Sequence, residues 1–179
     1  MAFAGLTNCI CARFTWMNIS EGFPPVANAD ATRLILGSMP GKASLMANEY
    51  YAFNRNAFWK IMGNLYGADP KMDYKNRLNI LKSEQIALWD VVAAGHRPGS
   101  LDSSISGQGL VINDFNQFFQ QHPNVTHVFF NGLKAASLFS KHVVKHLTTT
   151  PDLSTLPSTS PAHAAMSFQS KLDAWSVIK

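Results

Sequence analysis

The densest run of residues able to bind or polarise a planar ligand lies between Arg33 and Trp59, RLILGSMPGKASLMANEYYAFNRNAFW. Tyr50 and Tyr51 offer aromatic faces. Asn54, Arg55 and Asn56 offer amides and a guanidinium just before an apolar helix start at Phe58-Trp59. Upstream, Leu34-Ile35-Leu36 reads as a short buried strand, and Gly37, Pro40 and Gly41 break the backbone after it. Ligands of open α/β sheets sit just outside such strand ends. Aromatic faces and amides at that place suit a flat, hydrogen-bonding ring, so the stretch reads as a nucleobase pocket.

Two commoner loops of this kind are excluded by spacing. A nucleophile elbow needs G-x-S-x-G, whereas Ser38 directly follows Gly37. A phosphate-binding P-loop needs G-x-x-x-x-G-K-[ST]; Leu36 stands where its first Gly would be, and Ala43 follows Lys42. His142 and His146 have the i, i+4 spacing of a helical zinc pair, but the run is HVVKH without the Glu of H-E-x-x-H, so a solvated face is expected. Cys9 and Cys11 cannot build a disulfide framework or a zinc site and read as free thiols of a reducing compartment. No metal and no cofactor is expected.

Elements to position these residues follow from periodicity. Phe58, Ile61, Met62 and Leu65 share one helical face, ended by Gly67 and Pro70, with Asn54 as candidate cap and Asn56 in the first turn. A second helix covers 74–82. Ile86 to Val92 reads as the second strand, followed by a Gly- and Ser-rich loop from Gly95 to Gly109. Asn113 is placed as the cap of a helix whose Phe115, Phe118 and Phe119 form a core stripe. Val125 to Phe130 is the third strand. Asn131 at its end either caps the helix over 133–147 or presents a donor and an acceptor to a base edge. Leu153 to Pro157 is a short fourth strand. It leads into Ser158-Thr159-Ser160-Pro161-Ala162-His163, small hydroxyl residues ahead of a helix that could grip a phosphate or form an ordinary capping turn. A last helix carries Phe168, Leu172 and Trp175 on one face.

Strands alternating with helices give an α/β fold, a three-layer sandwich with a central four-stranded, mainly parallel sheet and helices on both faces. The 179 residues, 46% hydrophobic and 15% charged, fit one globular domain rather than a disordered chain. Residues 1–18 read as an N-terminal extension and 19–179 as a single domain. The net charge of +4 suits a polyanionic partner. No run approaches the roughly 18 apolar residues of a membrane span, and a basic leader region is missing at the start. A cytoplasmic protein is expected, associated with the nucleoid if bacterial.

These residues carry a resemblance. GSMPG, then S-L, YYA and RNAFW, then FNG and LPSTSPA, in that order, resemble the uracil-DNA glycosylase superfamily, most closely its hypoxanthine-DNA (deoxyinosine) glycosylase branch. The resemblance runs from about Ile19 to Ile178, and the branch looks similar also in a WDV strand and a GSLD-type loop. It implies that Tyr51 stacks on an extruded base, that Gly37, Ser38 and Met39 line the base pocket, and that Asn131 reads the base. Met39 takes the position of a loop Asn that carries catalysis in other branches; this branch relies on the Asn of R-N-x-F-W, here Asn56. Ser158, Ser160, Pro161, Ala162 and His163 fall on the DNA-gripping motif. Ser158 replaces its His, and Ala162 replaces its wedge residue and is too small to fill the gap left by a flipped nucleotide, a task that would pass to His163 or another loop residue. Asn54 stands where Pro is expected.

The expected activity is hydrolysis of the N-glycosidic bond of a deaminated base, hypoxanthine first and uracil second, by a monofunctional, monomeric enzyme acting on double-stranded DNA and leaving an abasic site. The rival is a non-catalytic α/β module that binds a nucleotide or flavin at the same strand ends.

Overall fold

The computed structural model describes residues 19–96, 102 and 109–179. The 1–18 extension with its cysteine pair and most of the Gly95–Gly109 loop lie outside the described residues. In chain order the elements are β1 (Ile19–Glu21), β2 (Arg33–Gly37), α1 (Lys42–Ala47), α2 (Phe58–Tyr66), α3 (Tyr74–Ser83), β3 (Ile86–Asp90) and β4 (Val92–His96). There follow β5 (Val111–Ile112), α4 (Phe115–Gln121), β6 (His127–Asn131), α5 (Leu133–His142), β7 (Asp152–Leu156) and α6 (Phe168–Trp175).

Four strands form one parallel sheet in the order β3-β2-β6-β7. Alternation along β2 splits the interior in two. Leu34 and Leu36 face a core filled from α4 and α5 by Phe115, Phe118, Phe119, Leu138 and Phe139. Ile35 faces the opposite core, filled from α2, α3 and α6 by Phe58, Ile61, Met62, Leu81 and Trp175. Both faces are covered, which is why the central strands β2 and β6 and the neighbouring β3 are mostly apolar, whereas the edge strand β7 is polar and largely exposed. The expected three-layer architecture is therefore the observed one.

One strand of the sequence reading becomes two. Ile86 to Val92 is not continuous: β3 ends at Asp90, and β4 leaves to join β1 and β5 in a separate three-stranded antiparallel sheet. The backbone of Val91 donates to the Gly37 carbonyl at 2.9 Å and that of Val92 to Ser38 at 3.1 Å. The chain thus follows the loop beyond β2 before peeling away. Asp90 is left at a strand end instead of inside a strand.

Helix starts also differ. Asn54 does not cap α2; Ala57 holds the N-cap position and Asn56 stands just outside the helix. Asp114, not Asn113, caps α4 by accepting from the Gln117 N–H. Helix α5 ends at His142, and His146 lies in a separate 3-10 turn, so the two do not share one helical face. In α6 Trp175 is fully buried while Phe168 is 40% exposed, so the expected stripe is shorter and Lys171 takes part in the buried side. Among the described residues no helix is long and apolar enough to cross a membrane.

Candidate functional site

The C-terminal ends of β2, β3, β6 and β7 open into one cleft of about 420 Å³. Among its walls are Gly37, Ser38, Met39, Tyr51, Asn56, Asn131, Ser158, Ser160, Pro161 and Ala162. His163 does not line it. Residues separated by more than a hundred positions are gathered because parallel strands deliver all their C-terminal loops to one edge.

Tyr51 is set by its neighbours. It adopts a left-handed backbone with φ of 56°, and the chain around it is tied down on both sides. The Tyr50 N–H donates to the Tyr74 hydroxyl at 2.9 Å, Trp59 Nε1 donates to the Tyr50 carbonyl at 2.8 Å, and the Ala52 N–H donates to Ser44 Oγ at 3.3 Å. The Tyr51 ring stacks on Phe58, with centroids 4.0 Å apart and planes 23° from parallel. Phe58 is wholly buried, whereas Tyr51 keeps part of its surface on the cleft. Its hydroxyl is buried at the floor beside Asp90 and Asn131 with no hydrogen bond of good geometry. Burial pushes this phenol well above the ordinary tyrosine range, the Asp90 charge adds to the effect, and the Asn131 amide partly opposes it. Tyr51 is therefore a neutral, rigidly backed ring.

Asn56 closes the mouth of α2. Its Oδ1 accepts from the Phe58 N–H at 2.9 Å, satisfying one of the orphan donors of the helix start. That bond turns the amide oxygen to the helix, and Asn56 also lines the cleft.

The segment after β7 is fastened from three directions. Asn131 Oδ1 accepts from the Thr159 N–H at 2.8 Å, and Asn131 Nδ2 donates to Thr159 Oγ1 at 2.9 Å. The Ala57 N–H donates to the Thr159 carbonyl at 2.9 Å, joining this loop to the Asn56 segment. From α6, Trp175 Nε1 donates to Pro157 O at 2.9 Å and Lys171 Nζ to Ser160 O at 3.5 Å. Burial pulls the Lys171 pKa below its ordinary value. Ser158 Oγ accepts from the Ser160 N–H at 3.2 Å and Ser160 Oγ from the Ala162 N–H at 3.3 Å, so both hydroxyl protons remain available to an oxygen of a ligand. The loop is not at a helix start as expected: α6 begins later, at Phe168 capped by Ser167.

Asn131 thus neither caps α5, whose N-cap is Gly132, nor points a free amide into the cleft. Each of its polar atoms is engaged by Thr159, and at 8% exposure it retains one N–H and one lone pair for anything else.

Sequence reasoning missed Asp90, Asp102 and Phe53 and named Arg55 and Thr159 only within longer runs; all five line the cleft. Asp90 is 3% exposed, and Asp102 accepts from Ser38 Oγ at 2.6 Å. At the mouth the Arg55 guanidinium lies 5.5 Å from the centre of the Phe53 ring, and Phe53 is 42% exposed. An acid closing the otherwise apolar run Ile86 to Trp89 was the readable sign of Asp90. Among the described residues no group of three or more His, Cys, Asp or Glu side chains could hold a metal.

Comparison with known proteins bears on the family and the fold. A family model described as the uracil DNA glycosylase superfamily matches residues 24–179. The chain is 41% identical over 116 residues to a hypoxanthine DNA glycosylase of Methanosarcina barkeri (strain Fusaro / DSM 804), covering 64% of this chain and 72% of that one. It is 40% identical over 118 residues to a hypoxanthine DNA glycosylase of Methanosarcina acetivorans, covering 65% and 73%. The solution NMR structure of a candidate uracil DNA glycosylase from Methanosarcina acetivorans superposes with a TM-score of 0.74 at 33% identity, covering 90% of this chain and 96% of that one.

Proposed function

The chain belongs to the uracil DNA glycosylase superfamily, and from that premise we propose that it excises hypoxanthine, and less readily uracil, from double-stranded DNA. The observation that carries this reading is the meeting of a Phe58-backed Tyr51 face and the Asn56 amide, its oxygen held by the start of α2, in one cleft at the strand ends. Two relatives at about 40% identity that are named hypoxanthine DNA glycosylases favour the purine.

The target base leaves the duplex at a cost of a few kcal/mol, least where its pairing is already weak. It enters between Tyr51, which stacks on one face, and the loop of Gly37, Ser38 and Met39. Asn131 reaches its edge with the N–H and lone pair that Thr159 leaves. As the bond from C1′ to the base nitrogen breaks, its electron pair goes to the base, a water oxygen bonds to C1′, and the proton that water gives up ends, through solvent, on the departed base. Asn56 Nδ2 donates to the base as negative charge accumulates there, a preorganised effect worth several kcal/mol. Asn56 holds its acceptor against α2, so water placement is not its part. The products are the free base and an abasic site. Lysine is not among the residues lining the cleft, so no Schiff base forms and the backbone stays intact.

Ser158 and Ser160 donate hydroxyl protons to phosphates, with Pro161 and Ala162 against the strand and His163 at the rim. Phe53, exposed and braced by Arg55, supplies the bulk that Ala162 lacks and fills the gap in the stack. The enzyme works as a cytoplasmic monomer. The test is a gel assay on duplexes holding hypoxanthine, uracil, xanthine or a plain mismatch, with alkali to cleave abasic sites. Alkali-dependent cleavage at hypoxanthine is expected, and its absence from every duplex would refute the function.

A further inference from the structure

We infer that Asp90 selects the base by accepting a ring N–H, so that the cleft admits bases whose Watson–Crick edge carries a protonated ring nitrogen and rejects those with a lone pair there. The inference rests on the reading of the cleft as a base pocket and names what discriminates within it.

Position is the first argument. Asp90 ends β3 opposite Gly37, the last residue of β2, and its carboxylate sits at the cleft floor. A Cβ built on Gly37 would come within 2.3 Å of Asp90 Oδ1 and 3.2 Å of the Tyr51 hydroxyl. The carboxylate therefore occupies the space above a glycine, next to the far edge of the aromatic face on which a base would lie. Its backbone is fixed on two sides, by the β2 ladder and by Asn113 Nδ2, which donates to the Asp90 carbonyl at 2.8 Å.

Chemistry is the second. An ionised carboxylate accepts hydrogen bonds and donates none. Deamination turns the ring nitrogen N1 of adenine, a lone-pair acceptor, into the N1–H donor of hypoxanthine, and turns N3 of cytosine into the N3–H of uracil. A buried acceptor therefore bonds the deaminated base and meets its normal parent lone pair to lone pair, a repulsive contact in a site with little water to screen it. Asn131 alone does not discriminate this way, because beside its two bonds to Thr159 it retains both an N–H and a lone pair and so can meet a donor or an acceptor. The Asp90 charge also opposes electron build-up on the base. Recognition and leaving-group stabilisation accordingly fall to different residues, Asp90 and Asn56.

The test compares wild-type protein with Asp90→Asn on duplexes carrying hypoxanthine, adenine or unsubstituted purine at one position, with binding to an abasic duplex as a second readout. The variant is expected to lose about 10–100-fold on hypoxanthine, to change on purine by no more than about threefold, and to bind abasic DNA as the wild type does, while its preference for hypoxanthine over adenine shrinks. Equal loss on all three bases, or no loss, overturns the inference. Should the variant fail to fold, the wild type still decides: release of purine, which lacks the ring N–H, as fast as hypoxanthine overturns it as well. A wild type inactive on every duplex would refute the proposed function instead.

Discussion

Asn131 and Thr159 hold each other by two hydrogen bonds, one through each end of the amide, at 2.8 and 2.9 Å. The pair ties the end of β6 to the loop after β7, and the Thr159 carbonyl carries the tie on to Ala57 beside Asn56. Three segments of the cleft thus share one buried joint. Asn131→Ala leaves two polar groups of Thr159 unsatisfied, so a loss of about 2–4 kcal/mol is expected, read as a lowered midpoint in urea unfolding. Cleavage should fall with it even under conditions where the variant is folded.

Asn56 offers a sharper separation. Asn56→Asp keeps an acceptor for the Phe58 N–H, so the start of α2 stays satisfied, but it removes the NH2 that the proposed mechanism uses as a donor to the base. Stability close to wild type and cleavage reduced about 100–1000-fold are expected. Single-turnover rates on a hypoxanthine duplex decide it: near-normal rates for Asn56→Asp would mean that the oxygen, not the NH2, does the work. Asn56→Ala should lose the same activity and, in addition, about 1 kcal/mol of stability from the helix start.

Gly132 has φ of 98°, and a Cβ there would approach Ser158 Cβ at 2.9 Å. Gly132→Ala combines an unfavourable backbone with a push against Ser158, in the loop proposed to grip DNA. A loss of about 1–3 kcal/mol and weaker binding to abasic duplex are expected. Thermal melting and a fluorescence-anisotropy titration would show both.

Tyr50 and Tyr51 are held well above the ordinary tyrosine value of 10.0, first by burial and then by the Asp90 charge. In the unfolded chain both ionise near 10, while in the fold they remain protonated to higher pH. Their contribution is fully present below pH 10 and is lost as pH rises beyond it, by about 1.4 kcal/mol per pH unit for each tyrosine. Melting temperatures should be insensitive to these groups up to pH 9.5 and fall steeply above 10. Tyr50→Phe should flatten that fall. A slope unchanged by the substitution would remove Tyr50 from the account.

Phe53 is exposed at the cleft mouth, and its removal should be felt only where a base must be extruded. Phe53→Ala is expected to slow excision from duplex DNA about tenfold or more and to leave excision from a single strand within about twofold, since the cost of opening the stack is a few kcal/mol. Parallel time courses on the two substrates read it directly. An equal slowing on both would place Phe53 elsewhere in the cycle.

The fold was largely legible because its signals are local. Apolar runs of five residues bounded by Gly and Pro, and helices with apolar residues at i, i+3 and i+4, report their own burial without reference to the rest of the chain. What failed was local in another sense. Asn54, Asn56 and Ala57 compete for one helix start, and Asn113 and Asp114 for another; sequence spacing cannot rank neighbours when the choice depends on where the chain arrives from. The break at Val91 has the same origin, since it follows from hydrogen bonds to Gly37 and Ser38, more than fifty positions away.

By itself the sequence determined that strands and helices alternate, that a broken loop follows the first strand of the parallel sheet, and which aromatic and amide side chains stand near strand ends. Those are properties of short windows, where residue type and spacing dictate backbone and burial. Only the tertiary structure decided what each polar group is bonded to: that the Asn131 amide is taken up by Thr159, that Asn56 gives its oxygen to the Phe58 N–H, and that Asp90 reaches the space above Gly37. The physical reason is that an amide or carboxylate can bond many partners. Which one it takes is fixed by packing strands from distant parts of the chain side by side, a constraint that no single window of sequence contains.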